Sequence, residues 1–423
     1  MTRIVPDLLI TGCSQLLTLR GPAPRRGREL RDFEIIRDGA LLVREGEIHA
    51  VGTRKNVERL RHSRRAKKID LGGRVVLPGF VDSHTHLIFP ESRAAEYEKG
   101  IAGVSYEKIA KSGGGILSSV RKLRRMSPDE LKVRAHVHLR QMAEHGTTTL
   151  EAKTGYGLDF SSEVKTLEVV RELRLEQRLD IATTFLGAHV VPPEYKGRTE
   201  DFVDLVARIW IPYIAQTGLA QFCDVFCDRG AFTVHQAARI LMAGLVCGLT
   251  PRLHADQMMR TGAARLAVRV QAASADHLDK VNAGDIRALA DSKVACTLLP
   301  GCSFHLGLKH YAPARALIDA GAAVALATDF NPGTSPTPNM QMILSLACSA
   351  LRMTPAEAIA AATINGAYAL RRHSRVGSLE VGKFADIAAF DVDDYREIPY
   401  YFGVNHCSLV MKRGSVIFEK AEN

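Results

Sequence analysis

Two histidines stand one residue apart in GFVDSHTH (Gly79–His86), at the end of an apolar, β-branched run. Side chains alternate faces along an extended strand, so His84 and His86 point the same way with only Thr85 between them. Two imidazoles aimed at one spot suit a shared metal ion, and solvated strand-end histidines are the plain alternative. More such residues close other apolar runs: His189 in IATTFLGAH, Asp228 in QFCDVFCD, His254 in TPRLHAD, His277 in AASADHL and Asp329 in AAVALATDF. If these runs lie side by side in one parallel sheet, their polar ends converge. His84, His86, His254 and Asp329 then supply the donors for one zinc or iron ion per chain. Such an ion leaves room for water and lowers its pKa toward neutrality. Asp329 is expected to bind with one oxygen and take the water proton with the other, with His277 beside it as a proton shuttle or electrophile, against a further ligand or a packed imidazole. His189 reads as a group that polarises a substrate carbonyl, against a structural strand-end histidine.

Convergence of this kind demands a closed parallel sheet. Eight candidate strands alternate with helical patterns: GFVDSHTH, TTTLEAKTG, IATTFLGAH, QFCDVFCD, TPRLHAD, AASADHL, KVACTLLPG and AAVALATDF. Eight strands close a (β/α)8 barrel, and the C-terminal strand ends of such a barrel form the mouth where chemistry is done. Ser127–Gly146 carries an N-cap serine, proline at the first helical position, glutamate at the third and a terminal glycine. Ser161–Gln177 and Thr354–Leu370 read as single helices of the same kind.

The two ends of the chain look different. GALLVREGEIHAVGT is strand, turn at Gly46, strand, and CSLVMKRGSVIFE repeats the pattern near the C terminus. The predicted architecture is therefore an α/β TIM barrel over residues 77–372, with a small β-sandwich domain assembled from 1–76 and 373–423.

Composition excludes several classes. The 423 residues are 46% hydrophobic and 24% charged, which is ordinary for a globular chain. The formal charge is +10, but the basic residues are scattered or gathered in PRRGREL (Pro24–Leu30) and RLRHSRRAKK (Arg59–Lys68), without interleaved aromatics. These runs read as a solvated basic face, with no nucleic-acid partner. No apolar run reaches membrane-span length and no signal-peptide pattern opens the chain, so the expectation is a cytoplasmic enzyme that does not bind membranes. The eight cysteines are irregularly spaced and read as reduced, buried thiols. Gly113–Gly115 reads as a loop near the mouth, since no Lys-Ser/Thr pair follows it as a phosphate loop requires.

The order of HxH, strand-end histidines and a final strand-end aspartate resembles the amidohydrolase superfamily. Within it the chain is similar to the imidazolonepropionase family over nearly its whole length. The stretches that carry the match are VSYEKIAKSGGGILSSV, KTGYGLD, TFLGAHVVPPEYKGR, LHADQ, SADHL, LLPG, ALATDFNPGTSPT and ATINGAYAL. The resemblance implies hydrolysis of 4-imidazolone-5-propanoate to N-formimidoyl-L-glutamate in histidine degradation. It places metal ligands on His84, His86, His254 and Asp329. Substrate contacts would fall on Arg93, Tyr156, His189, Gln257, Asn331, Gly333 and Thr334.

Arg93 suits a carboxylate fork, although Glu91 and Glu96 offer it a simple ion pair. QFCDVFCD holds no lysine of the sort that bridges binuclear members, so one metal is expected. HADQ departs from the H-x-x-E of the superfamily's deaminases, which favours ring opening over loss of ammonia. A mononuclear amidohydrolase acting on another cyclic amide or amidine, for example a deaminase, is the alternative. Pro90-Glu91 before Arg93 and CSFHLGLKHY after the seventh strand depart from the family's usual pattern. Outer barrel helices of this kind often pair, which points to a homodimer.

Overall fold

The computed structural model describes residues 7–104, 108 and 112–421, so part of the VSYEKIAKSGGGILSSV stretch lies outside the described residues. β1 (Leu8–Leu17), β2 (Ile35–Arg44), β3 (Glu47–Thr53) and β4 (Lys67–Pro78) come from the N-terminal segment. The barrel strands follow as β5 (Phe80–Asp82), β6 (Thr147–Lys153), β7 (Asp180–Ala188), β8 (Phe222–Cys227), β9 (Thr250–Ala255), β10 (Ser274–His277), β11 (Ala295–Leu298) and β12 (Ala323–Leu326). β13 (Ile387–Phe390), β14 (Cys407–Lys412) and β15 (Ser415–Glu419) complete the chain.

Each of the eight expected barrel strands is present, in sequential order in one parallel sheet. The first and last are joined by a parallel bridge between Thr85 and Phe330. The His86 N–H donates to Phe330 O at 2.9 Å and the Asp329 N–H to His84 O at 3.0 Å, so the closing seam runs through the candidate metal residues.

The terminal strands form one seven-stranded mixed sheet in the order β15-β14-β13-β4-β1-β2-β3. Ile10, Leu16, Leu41, Val43, Val76, Ile387, Leu409 and Met411, from both ends of the chain, share one apolar core on it. The expected turn at Gly46 is made by Glu45 and Gly46, both at positive φ (51° and 81°), which matches the twist of a two-residue hairpin.

Ser127 caps the helix Pro128–Glu144 by accepting from the Glu130 N–H, and Glu130 returns a bond to the Ser127 N–H. The pattern Thr354–Leu370 forms two helices instead of one, Pro355–Ala361 and Ile364–Ala369. The break has a use: Ala362 O accepts from the Val81 N–H of the first barrel strand at 2.9 Å. Gly366 lies against the same strand, where a Cβ would come 2.5 Å from Val81 O.

One basic run is also not a solvated face. The Arg25 guanidinium is buried and donates to Glu29 O and Asp32 O, both at 2.8 Å. Arg26 donates to Ala290 O, Gly321 O and Ser292 O at 2.8, 3.0 and 2.6 Å, satisfying carbonyls at the ends of two barrel helices. The Arg59–Lys68 run is largely exposed. All eight cysteines are unpaired, and six of them are buried. Among the described residues no helix is long and apolar enough to cross a membrane.

Candidate metal centre

Ligand atoms of His84, His86 and His254 lie within 4.8 Å of one another, and Asp329 Oδ1 stands 3.5 Å from His84 Nε2 and 3.7 Å from His86 Nε2. All four residues are buried. The His84 and His254 Nε2 atoms have no hydrogen-bond partner, an expensive condition for buried polar atoms unless something occupies the space between them. The same donor set within one small volume fits a cation with mixed nitrogen and oxygen ligands.

The His84 tautomer is set from outside. His84 Nδ1 is 2.7 Å from Asp276 Oδ2, and His254 Nδ1 is 3.0 Å from Asp224 Oδ2. At His84 the hydrogen-bonded carboxylate keeps the proton on Nδ1 and turns the Nε2 lone pair toward the centre; at His254 the Asp224 charge lies beside Nδ1 without a hydrogen bond. Burial first, then neighbouring positive groups, hold the His84 and His86 imidazoles well below their ordinary pKa, so they stay neutral and available as ligands. Burial pushes the Asp329 carboxyl up to about 7 in the absence of a cation, with His254 opposing the rise.

Beneath the histidines lies a group that sequence reasoning missed. Lys153 Nζ is 2.7 Å from Asp224 Oδ2, 2.9 Å from Glu151 Oε2 and 3.5 Å from Asp276 Oδ2. Arg252 Nε is 2.9 Å from Glu151 Oε1, and its Nη2 is 3.3 Å from Asp276 Oδ2. The side chains of all five residues are fully buried. Barrel interiors are ordinarily packed with branched apolar residues, so five charged groups spanning β6, β8, β9 and β10 mark this end for another purpose. Period two carried a signal: Glu151 with Lys153, and Arg252 with His254, share a face.

His277 and Asp329 reach the mouth by an irregular backbone. Both have positive φ, 76° and 53°, a conformation that L residues rarely adopt. The consequence is that consecutive side chains turn inward together. Asp276 meets His84 while the His277 ring lies 5.6 Å from that of His84 and 5.3 Å from that of His254. Thr328 likewise donates to Asp82 at 2.6 Å while Asp329 faces the histidines.

The other expected residues gather around this centre to different degrees. The His189 ring stacks on His86 at 5.2 Å, and Tyr156 is 5.7 Å from both. His189 Nδ1 donates to Gly155 O at 3.0 Å, and burial lowers its pKa to about 3, so the ring is neutral and Nε2 presents a lone pair. In that tautomer Nε2 can accept an N–H.

Glu96 Oε2 takes Arg93 Nε and Nη2 at 2.8 and 2.6 Å and also the Gly115 N–H at 3.0 Å. Arg93 Nη1 is left against Gly333, where a Cβ would lie only 2.3 Å away. Asn331 folds its own loop, accepting from the Gly333 and Thr334 N–H groups, each at 2.8 Å, and donating to Asp329 O at 2.6 Å. Gln257 Nε2 reaches Cys302 Sγ at 3.4 Å. Asp228 stays outside the centre, accepting the N–H groups of Gln257 and Met258, both at 2.7 Å.

The Amidohydrolase family matches residues 244–417. An imidazolonepropionase of Solibacter usitatus is 46% identical over 416 residues, covering 98% of this chain and 99% of the relative. One from Alkaliphilus metalliredigens is 43% identical, covering 98% of each. In fold, the chain is similar to a zinc-bound adenosine deaminase of Xanthomonas campestris with a TM-score of 0.69 at 18% identity, covering 98% of this chain and 93% of that one.

Proposed function

The chain belongs to the imidazolonepropionase family of amidohydrolases, hydrolases of cyclic amide C–N bonds, and from that premise we propose that it opens 4-imidazolone-5-propanoate with water to give N-formimidoyl-L-glutamate. The observation that carries the reading is the convergence of buried, inwardly turned His84, His86, His254 and Asp329 at the mouth, with Arg93 held a short distance away beside the Asn331–Thr334 loop. A divalent ion in that centre, zinc or iron, supplies an acidified water and positive charge next to the scissile carbonyl.

The protein's own groups do the rest. His84, His86 and His254 would hold the ion through ring nitrogens, with Asp276 behind His84 and Asp224 behind His254. Asp329 would offer the ion one oxygen and takes the proton of the attacking water with the other. Arg93, through the Nη1 that Glu96 leaves free, receives the propanoate carboxylate beside the Asn331–Thr334 loop, which orients the ring. His189 accepts a ring N–H at Nε2, and Tyr156 closes the apolar edge. Addition of water to the ring carbonyl forms a C–O bond. Cleavage of the C–N bond then needs a proton on the departing nitrogen, which comes from Asp329 or His277.

The test is an absorbance assay with freshly generated substrate, run on metal-analysed protein and on its Arg93→Ala variant. Loss of the ring chromophore with formation of N-formimidoyl-glutamate is expected, together with a raised KM in the variant. Absence of turnover by protein carrying one metal ion per chain would move the specificity to another cyclic amide or amidine.

A further inference from the structure

A second set of donors faces the three histidines across the mouth. His277, Cys302 and Asp329 each offer one ligand atom, and these atoms lie within 4.8 Å of one another. All three residues are buried, and His277 Nδ1 has no hydrogen-bond partner. Cys302 sits in the helix Pro300–His305 that follows β11, within the CSFHLGLKHY stretch that already stood out in the sequence. Its sulfur is placed by Gln257 Nε2 at 3.4 Å. Among the described residues, no other cysteine falls in a group of three such donors. Asp329 links the two groups, because its Oδ1 also stands 3.5 Å from His84 Nε2.

One imidazole, one thiol and one carboxylate make a set that favours borderline and soft cations over magnesium or calcium. We propose that His277, Cys302 and Asp329 form a second, inhibitory site for a thiophilic divalent cation such as zinc or cadmium, sharing Asp329 with the resident centre. This inference rests on the reading of His84, His86, His254 and Asp329 as that centre. It differs from a lysine-bridged binuclear centre, because the second cation is not needed for turnover and opposes it. On binding, the S–H bond of Cys302 breaks, a sulfur–metal bond forms and the proton passes to solvent; nothing is oxidised or reduced. The cation engages the imidazole of His277 and the carboxylate of Asp329, the two groups that handle protons in the reaction, so turnover falls as the site fills.

Cobalt(II) titration of the metal-free full-length protein tests this, with absorption spectra and turnover followed together. The first equivalent is expected to give d–d bands and activity without a thiolate-to-cobalt charge-transfer band. The second is expected to add that band and reduce activity. Cys302→Ala is expected to keep the first equivalent and its turnover, lose the charge-transfer band, and need at least about tenfold more zinc for half-inhibition. Cys302→Ser, nearly isosteric, serves if the alanine variant folds poorly. The proposal is overturned if wild-type protein shows no charge-transfer band at excess cobalt, if the band appears with the first equivalent, or if zinc inhibits the variants as it does the wild type. Failure of cobalt to bind at all would instead contradict the resident centre on which the inference rests.

Discussion

Lys153 and Lys412 are both buried and both clamp carboxylates, one under the barrel mouth and the other where the terminal sheet meets the opposite end of the barrel. Lys153 gathers Glu151, Asp224 and Asp276. Lys412, on β14, is 2.7 Å from Asp180 at the start of β7 and 2.5 Å from Asp386 beside β13. What separates them is where the carboxylates lead. Asp224 and Asp276 continue to the imidazoles of His254 and His84. Asp386 and Asp180 end on Arg413, accepting its backbone N–H and its guanidinium, each at 3.0 Å. A buried ion cluster is thus no sign of function by itself: the one at the mouth orients ligands, and the one at the base joins sheet to barrel. This matches the division of a barrel into a chemical top and a stabilising bottom.

The sharpest separation comes from the mouth itself. Asp329→Asn is expected to lower kcat by about 10²–10⁴-fold while the protein stays folded, because the carboxylate that accepts the proton is gone. Steady-state kinetics beside a melting curve checks both halves.

Removing either lysine leaves carboxylates buried with too little positive charge, which costs about 3–5 kcal/mol. Lys153→Met and Lys412→Met are both expected to lose stability on that scale in urea unfolding. Only Lys153→Met should also weaken metal binding by the folded fraction. Equal loss of metal affinity in the two would mean that the Lys153 cluster does not orient the ligands.

Asp276→Asn is a finer probe, since it keeps the shape and removes the charge behind His84. A 10–100-fold weaker metal affinity is expected from chelator competition, with a smaller change in stability.

The smallest effect lies at neither cluster. Asp285, third residue of the helix Ala283–Ala290, accepts the N–H of the N-cap Asn282 at 3.2 Å, Arg260 Nε at 2.6 Å and Arg265 Nε at 2.8 Å. The Arg260 hydrogen bonds hold its carboxyl below the usual range. A depressed pKa in the folded state stabilises above the ordinary value near 4 and is lost as pH falls through and below it. Asp285→Asn should therefore cost about 1–2 kcal/mol at pH 7, a gap that closes in acid, with metal affinity unchanged.

The contrast between the two clusters also explains what the sequence could and could not reveal. Strand-end residues such as His84, His86 and His254 announce themselves because period two and the count of eight apolar runs place them together. Asp224, Glu151 and Arg252 were legible only as inward positions, since their partners lie on other strands and registers between strands are not written in any one segment. Asp276 and His277 were harder still: adjacent residues of a regular strand point to opposite faces, and the positive φ of His277 defeats that rule. The pattern Thr354–Leu370 reads as one helix because propensity carries no trace of the Ala362 carbonyl that β5 requires. Arg26 looks like part of a solvated basic run for the same reason, since the carbonyls it satisfies lie as far as 295 residues away in the chain.

The most direct test of the metal-centred account is to add zinc stepwise to metal-free protein while following the opening of 4-imidazolone-5-propanoate. Activity rising to a maximum at one equivalent per chain and abolished by chelator is the predicted result. Full turnover in the metal-free protein, or none at one equivalent, would contradict it.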